Sequence, residues 1–334
     1  MTRDITIIIP NWNGRHWLAD CLEGLEQQTY RQFETVIVDN GSSDGSVEWI
    51  RQHAPHVRLI ENVNNTGFAA AANAGIAVSE APLVALLNND TVPSPSWLEA
   101  LVSALGSNAA DRVGSVASCM VHYDDPKTIE NAGDQVTWQG EALKRGRGRP
   151  IAEFSDSRDI LSACAGAALY RRSFLDKAGG FDADFFAYLE DVDLGMRGQV
   201  LGYRCQYVPE ARISHKGHGS KMPSATYVRL VTRNRYWLFW KNVPPELRKL
   251  HRASILYGSF CFFALSRRPL AWLQGATQAY KRKSEMLAFN RTLWAKHQIS
   301  EPQFESMLEP RGTLPSFHRR EQTPKPGEGQ SHAF

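Results

Sequence analysis

Ile5 to Ile9 is an unbroken, β-branched-rich run stopped by Pro10, and a strand of that composition is stable only with both faces buried. Segments able to cover it follow at once. Trp17 to Leu25 is amphipathic, Glu34 to Val38 is a second strand, and Val57 to Ile60 is a third. The stretch NVNNTGFAAAANAGIAVS then supplies a helix whose small side chains let it lie close to a sheet, and Leu83 to Leu87 is a fourth buried strand. Strand and helix alternating at roughly 25-residue spacings predict a parallel sheet with right-handed crossovers. In such sheets ligands sit at the carboxyl ends of the strands. The polar clusters Asn11 with Asn13, Asp39 with Asn40, and Asn88 with Asp90 all fall at those ends.

A chain of 334 residues with 43% hydrophobic content has room for one large α/β domain and an appendage. NWNG stands where a dinucleotide fold needs GxGxxG, and no P-loop GKT or GKS occurs, which argues against both glycine-rich phosphate cradles. The five cysteines are scattered without a CxxC, which fits reduced, buried thiols in the cytoplasm better than a disulfide framework or a zinc site. Pro10 breaks the first apolar run and no small-residue cleavage site follows, so no signal peptide is expected. The longest apolar run, Ala253 to Leu265, is too short to span a bilayer.

The middle is less regular. Val113 to Val121 and Cys164 to Tyr170 predict strands, as do the shorter Tyr203 to Val208 and Ala211 to Ser214. Between them, Thr137 to Pro150 (GEALKRGRGRP at its end) predicts an exposed, mobile loop, either plain surface or a binding lid. After SHKGHGSK, with His215 and His218, long helical patterns begin beyond Pro223. The charge changes there too: residues 1–211 carry 17 Lys and Arg against 28 Asp and Glu, and residues 212–334 carry 21 against 7. Tyr227 to Lys241, YVRLVTRNRYWLFWK, sets Trp237, Phe239 and Trp240 among Arg and Lys, the composition of a helix lying on an anionic membrane or, alternatively, of an aromatic hairpin packed on a domain. Nucleic acid would attract the same charge, but no recognition motif accompanies it, so no nucleic-acid partner is expected. The divisions read as 1–222, 223–309 and a Pro- and Gly-rich, disordered tail over 310–334.

One stretch concentrates acids. Asp182, Asp184, Glu190, Asp191 and Asp193 lie among Phe186 and Tyr188 before a helical pattern. Burial against rings raises a carboxylate's pKa into the range of a general base, whereas a helix N-terminus tolerates acids for its dipole alone. Asp39 can accept from a base or ribose, and Asp90 can hold a divalent ion on a diphosphate in the manner of Mg or Mn, with His215 as a nitrogen ligand.

IIIPNWNG, VDNGSSDGS, NNTGFAAAANAGI, LLNNDT, the run from GAALYRRSF to LGYR, and HKGHGS together resemble the inverting glycosyltransferases of family 2, most of all their bacterial rhamnosyltransferase branch, over roughly residues 4 to 220. The resemblance implies a GT-A fold, with a Rossmann-like, mostly parallel sheet flanked by helices and a C-terminal basic helical region. It further implies a nucleoside-diphosphate sugar donor and a Mg or Mn ion. Pro10, Asn11, Asn13, Asp39, Asn40, Gly67, Asn73, Asn88 and Asn89 would then bind donor, with Asp39 on the base. Asp90 and His215 would bind metal, Asp191 would be the catalytic base and Glu190 its neighbour. Asn88 replaces the first Asp of the family's DxD, which weakens the expectation of metal affinity. Rhamnose from dTDP-rhamnose is the expected donor. The acceptor is a glycan or lipid-linked glycan, met peripherally at the cytoplasmic face of the cell membrane, in polysaccharide synthesis. A sugar nucleotidyltransferase would want a glycine-rich basic loop in place of NWNGRHW; a non-catalytic, membrane-recruited binding protein is the other alternative.

Overall fold

The computed structural model describes residues 3–106, 112–217 and 222–309. The chain begins β1 (Ile5–Asn11), α1 (Arg15–Glu26), β2 (Phe33–Asp39), α2 (Ser46–His53), β3 (Arg58–Glu61), α3 (Phe68–Val78) and β4 (Leu83–Leu87). β1 lies parallel between β2 and β4, and β3 adds parallel to β2. Successive β1 side chains serve opposite cores, as the apolar run requires: Ile5, Ile7 and Ile9 pack with Leu18 and Leu22 of α1, and Ile8 packs with Ala69 and Ala72 of α3. α3 approaches so closely that a Cβ on Gly75 would stand 2.4 Å from Ile8 Cγ2.

The chain continues through β5 (Thr91–Pro93), α4 (Trp97–Leu105), β6 (Val113–His122), β7 (Ile129–Asn131), β8 (Asp134–Val136), β9 (Ala142–Lys144), β10 (Arg158–Ile160), β11 (Ala167–Arg171), α5 (Arg172–Ala178), α6 (Glu190–Val200) and β12 (Arg204–His215), with β8 and β9 forming a separate two-stranded sheet. The second half of the main sheet is mixed: β11 is antiparallel to both β4 and β6, while β12 runs parallel to β6 and antiparallel to β10 and β5. The flanked α/β sheet is therefore present, parallel only across its first four strands and β6 with β12. The two short strands expected over 203–214 are one strand with a register shift between Val208 and Arg212.

Two expectations change. Residues 137–150 are not an exposed loop: β8 and β9 pair as a hairpin, Trp138 in its turn is buried and stacks on His251, and exposure begins only at Arg147. The helical region is α7 (Ser224–Asn242), α8 (Pro245–Leu250), α9 (Arg252–Ser266), α10 (Pro269–Lys281), α11 (Lys283–Trp294) and α12 (Glu301–Ser306). α7, the expected interfacial helix, buries Trp237, Leu238 and Phe239 and turns Arg233, Arg235 and Lys241 inward, so the core alternative holds for it. The bare apolar surface is instead on α9 and α10, at Leu256, Tyr257, Phe260, Leu270 and Leu273. Among the described residues no helix is long and apolar enough to cross a membrane. All five cysteines are free, and all but the partly covered Cys164 are buried. His218 and the tail from Pro310 lie outside the described residues.

Gly75→Val should lower the unfolding free energy by about 1–3 kcal/mol, because Ile8 is held between two layers and cannot withdraw. A urea-denaturation midpoint unchanged from the parent would contradict the close α3–β1 contact.

Candidate active site

The register of β1 on β2 sets Asn11 opposite Asp39 at the carboxyl edge. Asn11 Nδ2 donates to Asp39 Oδ2 at 2.8 Å, and Asn89 Nδ2 donates to Asn11 Oδ1 at 2.7 Å, so three strand ends are tied through one amide. Asp39 Oδ1 accepts from Ser42 N at 2.9 Å, and Asn13, at φ 52°, accepts from Ser43 N at 2.8 Å. Pro10 is partly exposed beside them.

Other anticipated donor residues spend their polar atoms on the protein. Asn40 donates to Asn65 Oδ1 and Gly67 O and accepts from Asn62 and Thr66, which folds the loop before α3. Gly67 has φ 89°, and a Cβ there would come within 2.4 Å of Phe186 O. Asn73 exchanges hydrogen bonds with the backbone of Phe181 at 2.6 and 3.1 Å. These three residues join the donor edge to the acidic stretch. Asn88 N donates to Gly166 O at 2.8 Å. Ala165 N donates to Asp191 Oδ2 at 3.1 Å, so one short segment links the NND turn to Asp191.

β12 pairs with β5 so that His215 faces Thr91, and His215 Nε2 lies 3.2 Å from Asp90 Oδ2. On the other side of the ring Nδ1 is 3.5 Å from Glu130 Oε2, and Lys144 pairs with Glu130 Oε1. Burial opposes the imidazole's charge, but the carboxylates of Asp90 and Glu130 outweigh it and push His215 up to about 9. Burial likewise opposes ionisation of Glu130, and His215 and Lys144 reverse that, holding it well below the usual carboxylate range. Among the described residues no three His, Cys, Asp or Glu side chains form a metal cage. The donor set nonetheless fits Mg or Mn once the ion displaces the His215 proton: one carboxylate and one neutral imidazole, backed by a carboxylate on the far ring nitrogen, suit an ion that takes the rest of its shell from a diphosphate.

Glu190 and Asp191 open α6, after a turn with Phe186, Tyr188 and Leu189 at φ 65°, 71° and 70°. Such conformations persist only where the surroundings impose them. Asn234 of α7 does so, its Nδ2 lying 3.0, 3.0 and 2.8 Å from the carbonyls of Phe185, Ala187 and Tyr188, while Arg233 Nη2 donates to Asp184 O and Phe185 O. One turn into α6, the fully buried Asp193 accepts from Arg197, Lys241 and Asn242. Burial raises Glu190 well above the ordinary glutamate value, and the neighbouring Asp191 charge raises it further. Burial also raises Asp191, against backbone N–H groups and Lys144 that lower it. Asp134 on β8 is pushed up to about 7, by burial and then by Asp191. Glu190 Oε2 is buried with no hydrogen-bond partner among the described residues.

Sequence reasoning missed Glu130, Asp134, Lys144 and Asn234. The two acids spaced four apart in IENAGD were the one available signal for the first two.

Polar strand ends, a carboxylate–imidazole pair and an acidic turn on this sheet define a GT-A glycosyltransferase. The Glycosyl transferase family 2 profile matches residues 6–179, and the chain belongs to that family. It is 28% identical over 281 residues to the N-acetylglucosaminyl-diphospho-decaprenol L-rhamnosyltransferase of Mycobacterium tuberculosis, covering 71% of this chain and 87% of that one. The mannosyltransferase of Pyrobaculum calidifontis, solved in complex with GDP-Man and Mn2+, superposes with a TM-score of 0.53 at 18% identity, over 92% of this chain and 84% of that one. Residues 1–349 of TarS from S. aureus give 0.54 at 15%, over 91% of each chain. The solved structures establish the likeness of fold. The protein is thus an enzyme that moves a sugar from a nucleoside-diphosphate donor to an acceptor.

Asn234→Ala should cost about 2–3 kcal/mol, since it strands buried carbonyls of the strained turn. Guanidinium unfolding reads this directly, and a loss below about 0.5 kcal/mol would show that the turn holds without it.

Proposed function

We propose that this enzyme transfers rhamnose from dTDP-rhamnose, with inversion, to a hydroxyl of a lipid-linked glycan during cell-surface polysaccharide synthesis at the inner face of the membrane. The observation that carries the catalytic part is the position of Asp191: a carboxylate raised by burial and joined through Ala165 and Gly166 to the NND turn. The named activity of the mycobacterial relative supports the choice of sugar and of a lipid diphosphate acceptor.

In this reading Asp191 accepts the proton of the acceptor hydroxyl as its oxygen bonds to the anomeric carbon. The bond from that carbon to the diphosphate oxygen breaks on the opposite face, and the nucleoside diphosphate leaves with the electron pair. Glu190, which burial and the Asp191 charge push toward its protonated form, would in that form donate from its unpartnered side to an acceptor oxygen. Asn11, Asn13, Asp39 and Asn89 receive the nucleotide, with Pro10 and Asn88 beside them; Asn40, Gly67 and Asn73 hold the loop that frames it. Asp90 and His215 would hold Mg or Mn, which when bound would offset the charge of the leaving diphosphate. Residues 1–222 form the transferase unit, and the helices over 223–309 carry the acceptor side.

Asp191→Asn should cut transfer at least about 100-fold while leaving nucleotide binding intact. In the wild type, log(kcat/KM) should rise with pH through an apparent pKa above the ordinary aspartate value, because the base works only when ionised and burial delays its ionisation. Nucleoside-diphosphate release measured across pH checks both. A near wild-type rate for Asp191→Asn would remove Asp191 as base.

The membrane part rests on α9 and α10, where exposed Leu270 and Leu273 lie near Arg267, Arg268 and Lys281, no acid falling within either helix. Vesicles containing anionic lipid should retain the protein, salt should release it, and Leu270→Glu should weaken retention several-fold. Equal sedimentation with neutral and anionic vesicles would remove this part.

A further inference from the structure

The C-terminal helices enclose a cavity of about 380 Å3, lined from α7, α8, α9, α10 and α11 and from the turn of the β8–β9 hairpin. Its apolar wall includes Phe239, Trp240, Ile255, Phe262 and Trp272. Its charged lining is all basic: Arg235, Arg248, Lys249, Arg252 and Lys283, with no acid among the described residues that line it. A second cavity of about 350 Å3 shares Tyr236, Leu256, Ser259 and Trp272 with the first and ends at Phe260 and Phe263, on the bare side of α9. The two form one trough.

The trough is physically coupled to the acid cluster. Arg235 Nη2 donates to Gln139 O at 2.7 Å in the hairpin turn, and α9 packs so closely there that a Cβ on Gly258 would stand 1.9 Å from that same oxygen. At the other end of the hairpin Asp134 pairs in register with Lys144, beside Asp191 and Glu130. Strand β8 and the turn that follows it connect the two ends directly. Two buried polar atoms of the lining, Gln139 Oε1 and Trp272 Nε1, have no hydrogen-bond partner among the described residues.

We propose that this trough binds the hydrocarbon chain of a phosphate-bearing lipid, with the basic side chains taking the phosphate. It opens at Phe260 on the bare face of α9, so the chain enters from the bilayer, and its phosphate end lies toward the hairpin and Asp191. The inference deepens the reading of a lipid-linked acceptor and rests on it. Apolar walls with a wholly cationic charge complement select an anionic amphiphile over a neutral one.

The test is a titration of the full-length protein in detergent-free solution with farnesyl diphosphate, inorganic pyrophosphate and farnesol, followed by tryptophan fluorescence, since Trp240 and Trp272 line the trough. Farnesyl diphosphate should bind at least ten-fold more tightly than either fragment. Ser259→Leu, at the neck shared by both cavities, should weaken it at least ten-fold. Arg252→Ala, exposed and tolerant, should weaken farnesyl diphosphate several-fold without affecting farnesol, and Leu270→Glu, outside the trough, should change neither. Pyrophosphate or farnesol binding as tightly as farnesyl diphosphate would overturn the proposal, as would unchanged binding in both Ser259→Leu and Arg252→Ala. Nucleoside-diphosphate release by the wild type without lipid tests the transferase reading separately, so either can fail alone.

Discussion

The buried carboxylate of Asp193 is the constraint on which the active-site half depends. An ion of that kind costs several kcal/mol to desolvate and persists only when opposite charge and hydrogen bonds surround it. Burial raises its pKa, but Arg197 from its own helix and Lys241 from α7 reverse the effect and hold it below the usual value. Lys241 reaches Asp182 as well, at 2.6 Å, and Asn242 closes the remaining oxygen of Asp193. α7 is thereby pinned across the start of α6, and this brings Asn234 to the strained turn that presents Glu190 and Asp191. The basic C-terminal region is thus part of the machinery that shapes the acidic stretch.

Acids within one turn of helix behave oppositely for the same reason. Asp193 has two cations and stays ionised, whereas Glu190 has none in contact and is driven toward its protonated form. Asp191 lies between these limits, raised by burial and restrained by backbone N–H groups and Lys144. Such a spread of pKa values among neighbouring carboxyls permits one to take a proton while another donates a hydrogen bond. Across the sheet, Glu130 and Lys144 extend the chain of charges to His215 and Asp90, so proton-accepting and diphosphate-facing groups belong to one electrostatic unit.

Much of the first half was readable in advance because its signals are local. A β-branched run, a proline stop and small residues on the following helix each act through neighbouring backbone, and β1 to β4 lie where those signals put them. The edge polar groups were readable too, since carboxyl ends follow from strand direction. Reading failed where a partner lies far along the chain. Residues 137–150 have the composition of a loop, but Trp138 is buried by His251 and the turn is bonded to Glu309. YVRLVTRNRYWLFWK has the composition of a membrane-surface helix, but Arg233 and Arg235 are consumed by backbone carbonyls and Lys241 by Asp182 and Asp193.

By itself the sequence determined the alternating strand and helix order, the polar strand ends and the acidic stretch, because backbone propensity and hydrophobic period act over a few residues. The tertiary structure alone decided which acids ionise and which groups meet. His215 reaches Asp90 across 125 residues through the β12–β5 pairing, and Glu130 backs it through β7, a strand too short to announce itself. It also decided which basic helix is buried and which is bare. Burial and charge depend on distances between segments, and only the folded sheet sets those distances.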